Sequence, residues 1–295
     1  MSQFLQAAAY GVVQGGVLAL VAVGFSLVWG VMNVINLSHG AFAVAGAYLA
    51  WQLNLHFGMD PFIAMPVVAL TMFGAGYAIQ RGLINLVINA PIFLTLLLTF
   101  GLSLVILNGL QLLFTADDRT IDTTYASESF AVGTVNIPYG RLGAFVLALL
   151  ITFALATVMT RTRLGHAIGA TGMDRGAARL MGIRARHIYA VTFGIAAAIA
   201  GVAGTMMATV GSFNSTTTAG ELTLDAFVIS VLGGLGNMYG ALVGGLVLGL
   251  AETIGGLWLH GGWVNAIAMA VLIATLIIRP SGLIGKAQYS GRVEV

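Results

Sequence analysis

Two apolar stretches, each long enough to cross a lipid bilayer, flank one arginine-rich segment, and this arrangement most constrains the fold. Residues 142–159 precede the segment and residues 188–210 follow it. A helix of about 20 apolar residues matches the ~30 Å hydrocarbon core of a bilayer. The segment between them, residues 161–187, holds six of the chain's twelve basic residues and a single acid, Asp174. Because short arginine-rich loops stay in the cytoplasm, we expect this segment there.

The rest of the chain fits the same class of protein. It is 59% hydrophobic and 7% charged, whereas a soluble domain carries about 25% charged residues. We therefore predict an all-α polytopic membrane protein that forms one domain over residues 1–295, with eight or nine transmembrane or re-entrant helices. The expected spans are 4–29, 41–57, 61–80, 92–114, 142–159 and 188–210, a short or re-entrant segment ending near 235, then 241–256 and 264–278.

Two further charged regions bear on orientation. Residues 115–141 are acidic overall, so we place this loop outside, with a β-hairpin predicted in SFAVGTVNIPYG (129–140). The C-terminal tail is basic, with Lys286 and Arg292, and is therefore predicted to be cytoplasmic. The first span has no flanking charge, which leaves the side of the N-terminus open.

Glycine spacing predicts where helices approach one another closely. The pairs Gly11 and Gly15, Gly240 and Gly244, and Gly245 and Gly249 have the GxxxG spacing of membrane helix contacts. A weak similarity also links residues 36–50 with residues 237–251. Chance in a glycine-rich chain and a duplicated transporter half both remain open as explanations.

Eight polar residues at membrane depth are candidates for a solute pathway. Polar groups in a bilayer are costly unless they face protein or water, so the interruption after the first span is either a short loop or a broken helix beside a pathway. Three hydroxyls at four-residue spacing form a second candidate stripe. A buried glutamate is either a functional residue or one that snorkels to the outer surface. The candidates are Asn33, Asn36, Ser38 and His39 in the interruption, Thr95, Thr99 and Ser103 in the stripe, and Glu252.

Several kinds of chemistry are excluded. The only lysine, Lys286, lacks the context of a GxxxxGK[ST] phosphate-binding loop, so the chain cannot be its own P-loop ATPase. No histidines have HExxH spacing and there are no cysteines, so we expect no metal site and no cofactor in this chain. Ser38 and His39 are adjacent and lack a GxSxG elbow, which argues against a hydrolase. Because these motifs are missing, we predict no enzymatic activity. The basic residues lie beside membrane spans, so we predict no nucleic-acid binding either.

Within the arginine-rich segment, residues 174–182 have helical character. Arg175 and Arg179 are four residues apart on one face, and Ala178 and Met181 are expected together on another. Gly182 is expected to end the helix in the left-handed conformation. A short amphipathic helix at this place suits docking to a partner, and a charged loop that only sets topology is the alternative.

The sequence GAARLMG (176–182) resembles the EAA-type coupling loop of ATP-binding-cassette (ABC) importer permeases. Three blocks are similar to the permeases of branched-chain amino acid ABC importers: GVMNVINLSHGAFAVAGAYLA, RTRLGHAIGATGMDRGAARLMGI and VLGGLGNMYGALVGGLVLG. They follow the family's order and extend over most of the chain. One departure is Gly176, which stands where the EAA loop has glutamate, so a carboxylate role there is lost or passes to Asp174.

This resemblance implies a set of partners. It implies a second permease subunit, most simply in a heterodimer although a homodimer stays open, two cytoplasmic ATP-binding subunits that hydrolyse the ATP, and an extracytoplasmic binding protein. The location would be a bacterial inner membrane, and the substrate a branched-chain or other amino acid, urea or a short amide. The residues expected to couple to the ATPase are Asp174, Arg175, Ala177, Ala178, Arg179 and Gly182. The competing class is a stand-alone secondary transporter or channel, for which Glu252 is the only candidate coupling carboxylate.

Overall fold

A computed structural model describes residues 2–121, 123, 128–132, 135–259 and 263–285. These residues form twelve α-helices, one π-helix and one β-hairpin. The basic tail with Lys286 and Arg292 lies outside the described residues. In chain order the helices are α1 Ser2–Met32, α2 His39–Phe57, α3 Pro61–Ile79, the π-helix Gln80–Ile84, α4 Asn85–Val87, α5 Ile92–Phe114, α6 Tyr139–Arg161, α7 Arg163–Met173, α8 Arg175–Leu180, α9 Ala185–Val210, α10 Thr218–Gly233, α11 Met238–Gly255 and α12 Trp263–Ile278.

Helices α1 and α9 form the centre of the bundle. The most apolar window of α1 is 89% buried and that of α9 is 78% buried, whereas that of α5 is only 17% buried. Helix α1 packs most extensively against α11, and α9 packs against α2 and α3. The polytopic membrane class is therefore confirmed, with α5 at the periphery and most of its apolar surface uncovered in this single chain.

The predicted glycine pairs are all helix contacts. A Cβ atom on Gly15 would lie 2.6 Å from the carbonyl oxygen of Gly245, and one on Gly11 would lie 2.8 Å from that of Gly249. The other pair on α11 faces α10, since a Cβ atom on Gly244 would lie 2.7 Å from the carbonyl oxygen of Ile229. Helix α11 therefore uses two glycine pairs to approach two different neighbours.

Contacts at the two ends of α6 show which loops share a face. At one end, the side chain of Gln6 bonds to both backbone groups of Asn136, donating to the carbonyl at 2.7 Å and accepting from the N–H at 2.9 Å. At the other end, α7 lies beside the last turn of α1, where a Cβ atom on Gly172 would be 2.9 Å from the carbonyl oxygen of Gly30. The N-terminus of α1 thus lies on the same face as the β-hairpin, opposite the arginine-rich segment, which the sequence had left open.

Most predicted helix bounds agree with the structure, and the hairpin forms as expected from β1 Ser129–Val132 and β2 Val135–Pro138. The expected eight or nine crossings are not confirmed. Six helices in the described part of the chain are long and apolar enough to span a membrane, and α2, α10 and α12 do not meet both criteria. The third span also extends beyond its predicted end, through the π-helix to Val87.

Candidate functional site

The connection between α1 and α2, residues 33–38, runs into the interior of the bundle. His39, the first residue of α2, is fully buried, and its Nε2 donates to the carbonyl oxygen of Val21 at 2.9 Å. Val21 precedes the end of α1 at Met32 by 11 residues, which is about 16 Å along a helix. Helix α2 therefore begins well inside the protein, after a six-residue connection that is not helical.

Polar groups from within the protein hold the start of α2. Asn36 is 2% exposed, and its Oδ1 accepts from the backbone N–H of Ser38 at 3.1 Å and from its hydroxyl at 2.6 Å. The N–H of Gly40 donates to Thr223 Oγ1 on α10 at 3.0 Å. The first N–H groups of a helix have no partner in the helix itself. These side chains satisfy two of them and join α2 to α10.

The predicted hydroxyl stripe is the buried face of α5. Thr95, Thr99 and Ser103 are its three buried residues, while most of its apolar side chains face outward. Thr99 Oγ1 lies 3.0 Å from the carbonyl oxygen of Ile35 and accepts from the N–H of Leu37 at 3.2 Å. The structure thus brings the stripe against the α1–α2 connection, because polar groups in an apolar bundle are stable only when paired.

A cavity of about 380 Å³ lies between this stripe, the α1–α2 connection and α10. Among the described residues, the hydroxyls of Ser103, Thr216 and Thr223 line it and no charged side chain does. The apolar wall consists of Phe25, Ile35, Leu37, Phe100, Leu104, Leu107, Leu224 and Phe227. Three other hollows, of about 650 Å³ near Tyr10, about 400 Å³ near Phe62 and about 190 Å³ near Arg141, contain none of the candidate residues.

Of the eight candidate pathway residues, only Ser103 lines the cavity beside α5. Asn36, Ser38, His39 and Thr99 instead support the segment that forms its wall. Thr95 bonds within α5, to the carbonyl oxygen of Ile92 at 2.8 Å.

The other two candidates lie elsewhere. Asn33 is exposed and has a φ of 53°. Glu252 is 8% exposed on α11 and does not line the cavity.

Several lining residues were absent from the sequence predictions. Thr216 and Thr223 belong to a polar stretch that was assigned to a loop, although α10 already begins at Thr218. The only sequence feature that could have indicated Thr223 as a lining residue is its position, one turn before the apolar run of α10. The phenylalanines give no signal, because their convergence depends on tertiary packing.

At the opposite face from the hairpin, α8 has defined ends. Asp174 is its N-cap, and the carboxylate accepts from the N–H groups of Gly176 at 2.7 Å and Ala177 at 3.0 Å. Gly182 has a φ of +80°. Its N–H bonds to the carbonyl of Arg179, and the next N–H bonds to that of Ala178. This is a Schellman motif, so the predicted left-handed glycine at the helix end is confirmed.

The exposed side of α8 differs from the predicted one. Ala178 is 4% exposed and faces the protein, while Met181 is 82% exposed, so the two do not share a face as predicted. Arg175 is also turned inward, with its guanidinium over the ring of Tyr189 at 5.6 Å. The outward surface carries Asp174, Ala177 and Arg179 together with Met173, Leu180 and Met181, three apolar residues that were not among those expected to couple to the ATPase.

Among the described residues, no group of three or more acidic or histidine side chains is arranged to hold a metal ion. The two regions of interest are therefore the uncharged cavity and the outward surface of α8. Helix α5 connects the two regions. It begins beside the arginine-rich segment, and its residues line the cavity a few turns later.

Comparison with known proteins gives the family. Residues 7–278 match the family model described as branched-chain amino acid transport system / permease component. The chain belongs to this permease family. The permease is 29% identical to the high-affinity branched-chain amino acid transport system permease protein BraD of Pseudomonas aeruginosa, over 97% of each chain.

More distant relatives match over nearly the same length. The permease is 28% identical to LivH of Escherichia coli, whose name describes the same kind of permease, over 97% of its own chain and 96% of the relative. It is 26% identical to the ribose import permease protein RbsC of Haemophilus influenzae, over 90% of its own chain and 82% of the relative. No solved structure matches the chain.

Proposed function

We propose that the permease is the membrane-spanning subunit of an ABC importer for branched-chain amino acids in a bacterial inner membrane. It works with a second permease subunit in a heterodimer, with two cytoplasmic ATP-binding subunits that hydrolyse the ATP, and with an extracytoplasmic binding protein. Family membership and the names of BraD and LivH support the transport class. The arginine-rich segment faces the cytoplasm because short basic loops are retained there, and the C-terminus lies on the same side.

The uncharged cavity beside α5 is the observation that carries the substrate assignment. Its wall is mainly aliphatic and aromatic, with hydroxyls from three residues. Such a lining stabilises an aliphatic side chain by removing its surface from water. Branched aliphatic side chains fit this chemistry best.

The outward surface of α8 supports the assignment of the ATP-binding partner. Met173 and Leu180 are each 90% exposed and lie in the arginine-rich segment, outside the spans. Exposed apolar groups of this kind mark interaction surfaces. A stand-alone secondary transporter would need coupling carboxylates inside the spans, for which Glu252 on α11 is the candidate, and it would leave the exposed apolar surface of α8 without a role.

Thr99 provides the experiment, because one hydroxyl joins α5 to the α1–α2 connection. Thr99→Val keeps the shape of the side chain and removes both contacts. We expect ATP-driven leucine uptake by proteoliposomes of the assembled importer to fall about tenfold, the effect of losing one or two buried hydrogen bonds at about 1 kcal/mol each.

Thr157→Val is the matched control, since Thr157 is exposed on α6 and bonds only to its own helix, at the carbonyl oxygen of Phe153. It should transport like the wild type. Equal uptake by Thr99→Val and Thr157→Val would show that the cavity wall is not part of the route. Competition of leucine uptake by excess urea, but not by isoleucine or valine, would contradict the substrate assignment.

A further inference from the structure

The segment between α3 and α5, residues 80–91, has no role in the function proposed above. It contains the π-helix Gln80–Ile84 and the short helix α4, and it leads directly into α5 at Ile92. A π-helix replaces the usual backbone pairing with a wider turn and is frequent at functional sites. The segment lies on the same face as the arginine-rich segment and touches it at several points.

Three polar contacts join the end of α3 and residues 80–91 to the arginine-rich segment. Arg175, the first residue of α8, donates from Nη1 to Asn89 Oδ1. Asn85 donates from its side-chain amide to the carbonyl oxygen of Arg186 at 3.3 Å, and the hydroxyl of Tyr77 lies 3.0 Å from His187 Nδ1. The start of α8 and the first turn of α9 are therefore held by the end of α3 and the segment that follows it.

Arg175 is oriented for this contact and not for a partner protein. Arg179, one turn later, is exposed, whereas the guanidinium of Arg175 lies over the ring of Tyr189 and reaches Asn89. The planar guanidinium suits a site that both stacks and donates hydrogen bonds. An arginine that only sets membrane topology needs no such contacts within the protein.

Helix α5 connects this contact to the cavity. Asn89 precedes the first residue of α5 by three positions, and Thr99 lies on α5 against the carbonyl oxygen of Ile35. A regular helix moves as a rigid element, so a displacement at its start reaches Thr99. Contacts of this kind can carry coupling between sites when both ends bias the same element.

We propose that Arg175 and Asn89 are positioning residues that transmit movement of α8 to α5 and hence to the cavity wall. The inference rests on the proposed function, in which α8 contacts an ATP-binding subunit. The Arg175–Asn89 pair does not touch substrate or nucleotide. It links the element that receives the motion to the element that lines the cavity.

The test uses Asn89→Leu and Arg175→Met in the assembled importer in lipid nanodiscs and proteoliposomes. ATPase co-purification and the rate of ATP hydrolysis should remain at wild-type levels, while leucine uptake per ATP hydrolysed falls about tenfold, a typical size for a coupling between sites. The double variant should lose no more than either single variant, because both remove one shared contact. Asn89→Asp keeps the acceptor and should retain coupling.

The control is Asn108→Leu, the same change at an exposed asparagine of α5 that bonds only within its helix. It should keep the wild-type ratio. Wild-type uptake per ATP in both single variants, additive losses in the double variant, or reduced ATPase co-purification in the single variants would overturn the inference. A wild-type permease that binds no ATPase would overturn the proposed function as well, so the two failures are distinguishable.

Discussion

At the scale of single residues, the fold depends on positions where a side chain would not fit. On α11, a Cβ atom on Gly249 would lie 2.5 Å from both the carbonyl oxygen of Gly11 and the Cα of Gly15. Between membrane helices there is no hydrophobic driving force, and close packing supplies much of the association energy. The contact between α1 and α11 therefore requires glycine on both sides.

We predict that Gly249→Ala destabilises the permease by about 1–3 kcal/mol, the usual cost of overpacking a well-packed contact. Gly109→Ala is the control, since a Cβ atom there would meet nothing within 4 Å. It should be neutral or slightly stabilising, because alanine favours helix over glycine by up to about 1 kcal/mol. Thermal unfolding of the purified variants in detergent measures the difference, and an unchanged Tm for Gly249→Ala would contradict the packing argument.

At the scale of elements, the helices and their ends could be predicted from the sequence, whereas the residues that meet in the tertiary structure could not. The bounds of α5 agree with the prediction because Pro91 and a continuous apolar run define it, and its hydroxyl stripe follows from four-residue spacing. Helix α7 was missed because its glycines and polar residues resemble a loop. The cavity wall brings together residues from α1, α5 and α10 that no local pattern relates, and the inward side of α8 was set by packing against the bundle.

Exposed and buried residues of α8 should have different effects, on docking of the ATP-binding subunit and on folding respectively. Ala177 is exposed and Ala178 is 4% exposed. Ala177→Trp, like Leu180→Glu, should therefore leave the amount of folded permease unchanged and reduce co-purification of the ATP-binding subunit. Ala178→Trp should instead lower permease stability by about 1–3 kcal/mol through overpacking of its own bundle.

Co-purification from detergent, with permease yield measured in parallel, distinguishes these effects. Full ATPase binding by both Ala177→Trp and Leu180→Glu would show that the outward surface of α8 only sets topology. In that case the inference about Arg175 and Asn89 would lose the contact from which its motion begins.

At the scale of the whole molecule, orientation follows from charge, and the relative position of the loops follows from the structure. The N-terminus of α1 shares a face with the hairpin. The arginine-rich segment lies at the other end of α6, where its positive charge favours the cytoplasm. The N-terminus is therefore expected outside.

Single cysteines can report this orientation, because the chain has no cysteine of its own. In spheroplasts, a membrane-impermeant maleimide should label Gln3→Cys and Ser129→Cys, and it should label His166→Cys only after permeabilisation. All three residues are exposed in the structure, and His166 lies outside the outward surface of α8. Labelling of His166→Cys in sealed spheroplasts, with protection of Ser129→Cys, would show the opposite orientation.

The energy source of transport tests the central claim most directly. The measurement is uptake of radiolabelled leucine by proteoliposomes that hold the permease with its second subunit, the ATP-binding subunits and external binding protein. Accumulation should require ATP on the side of the ATP-binding subunits and should cease when they are omitted, because the permease has no phosphate-binding loop of its own. Equal accumulation by the permease alone, driven by a proton or sodium gradient, would contradict its assignment as an ABC importer subunit.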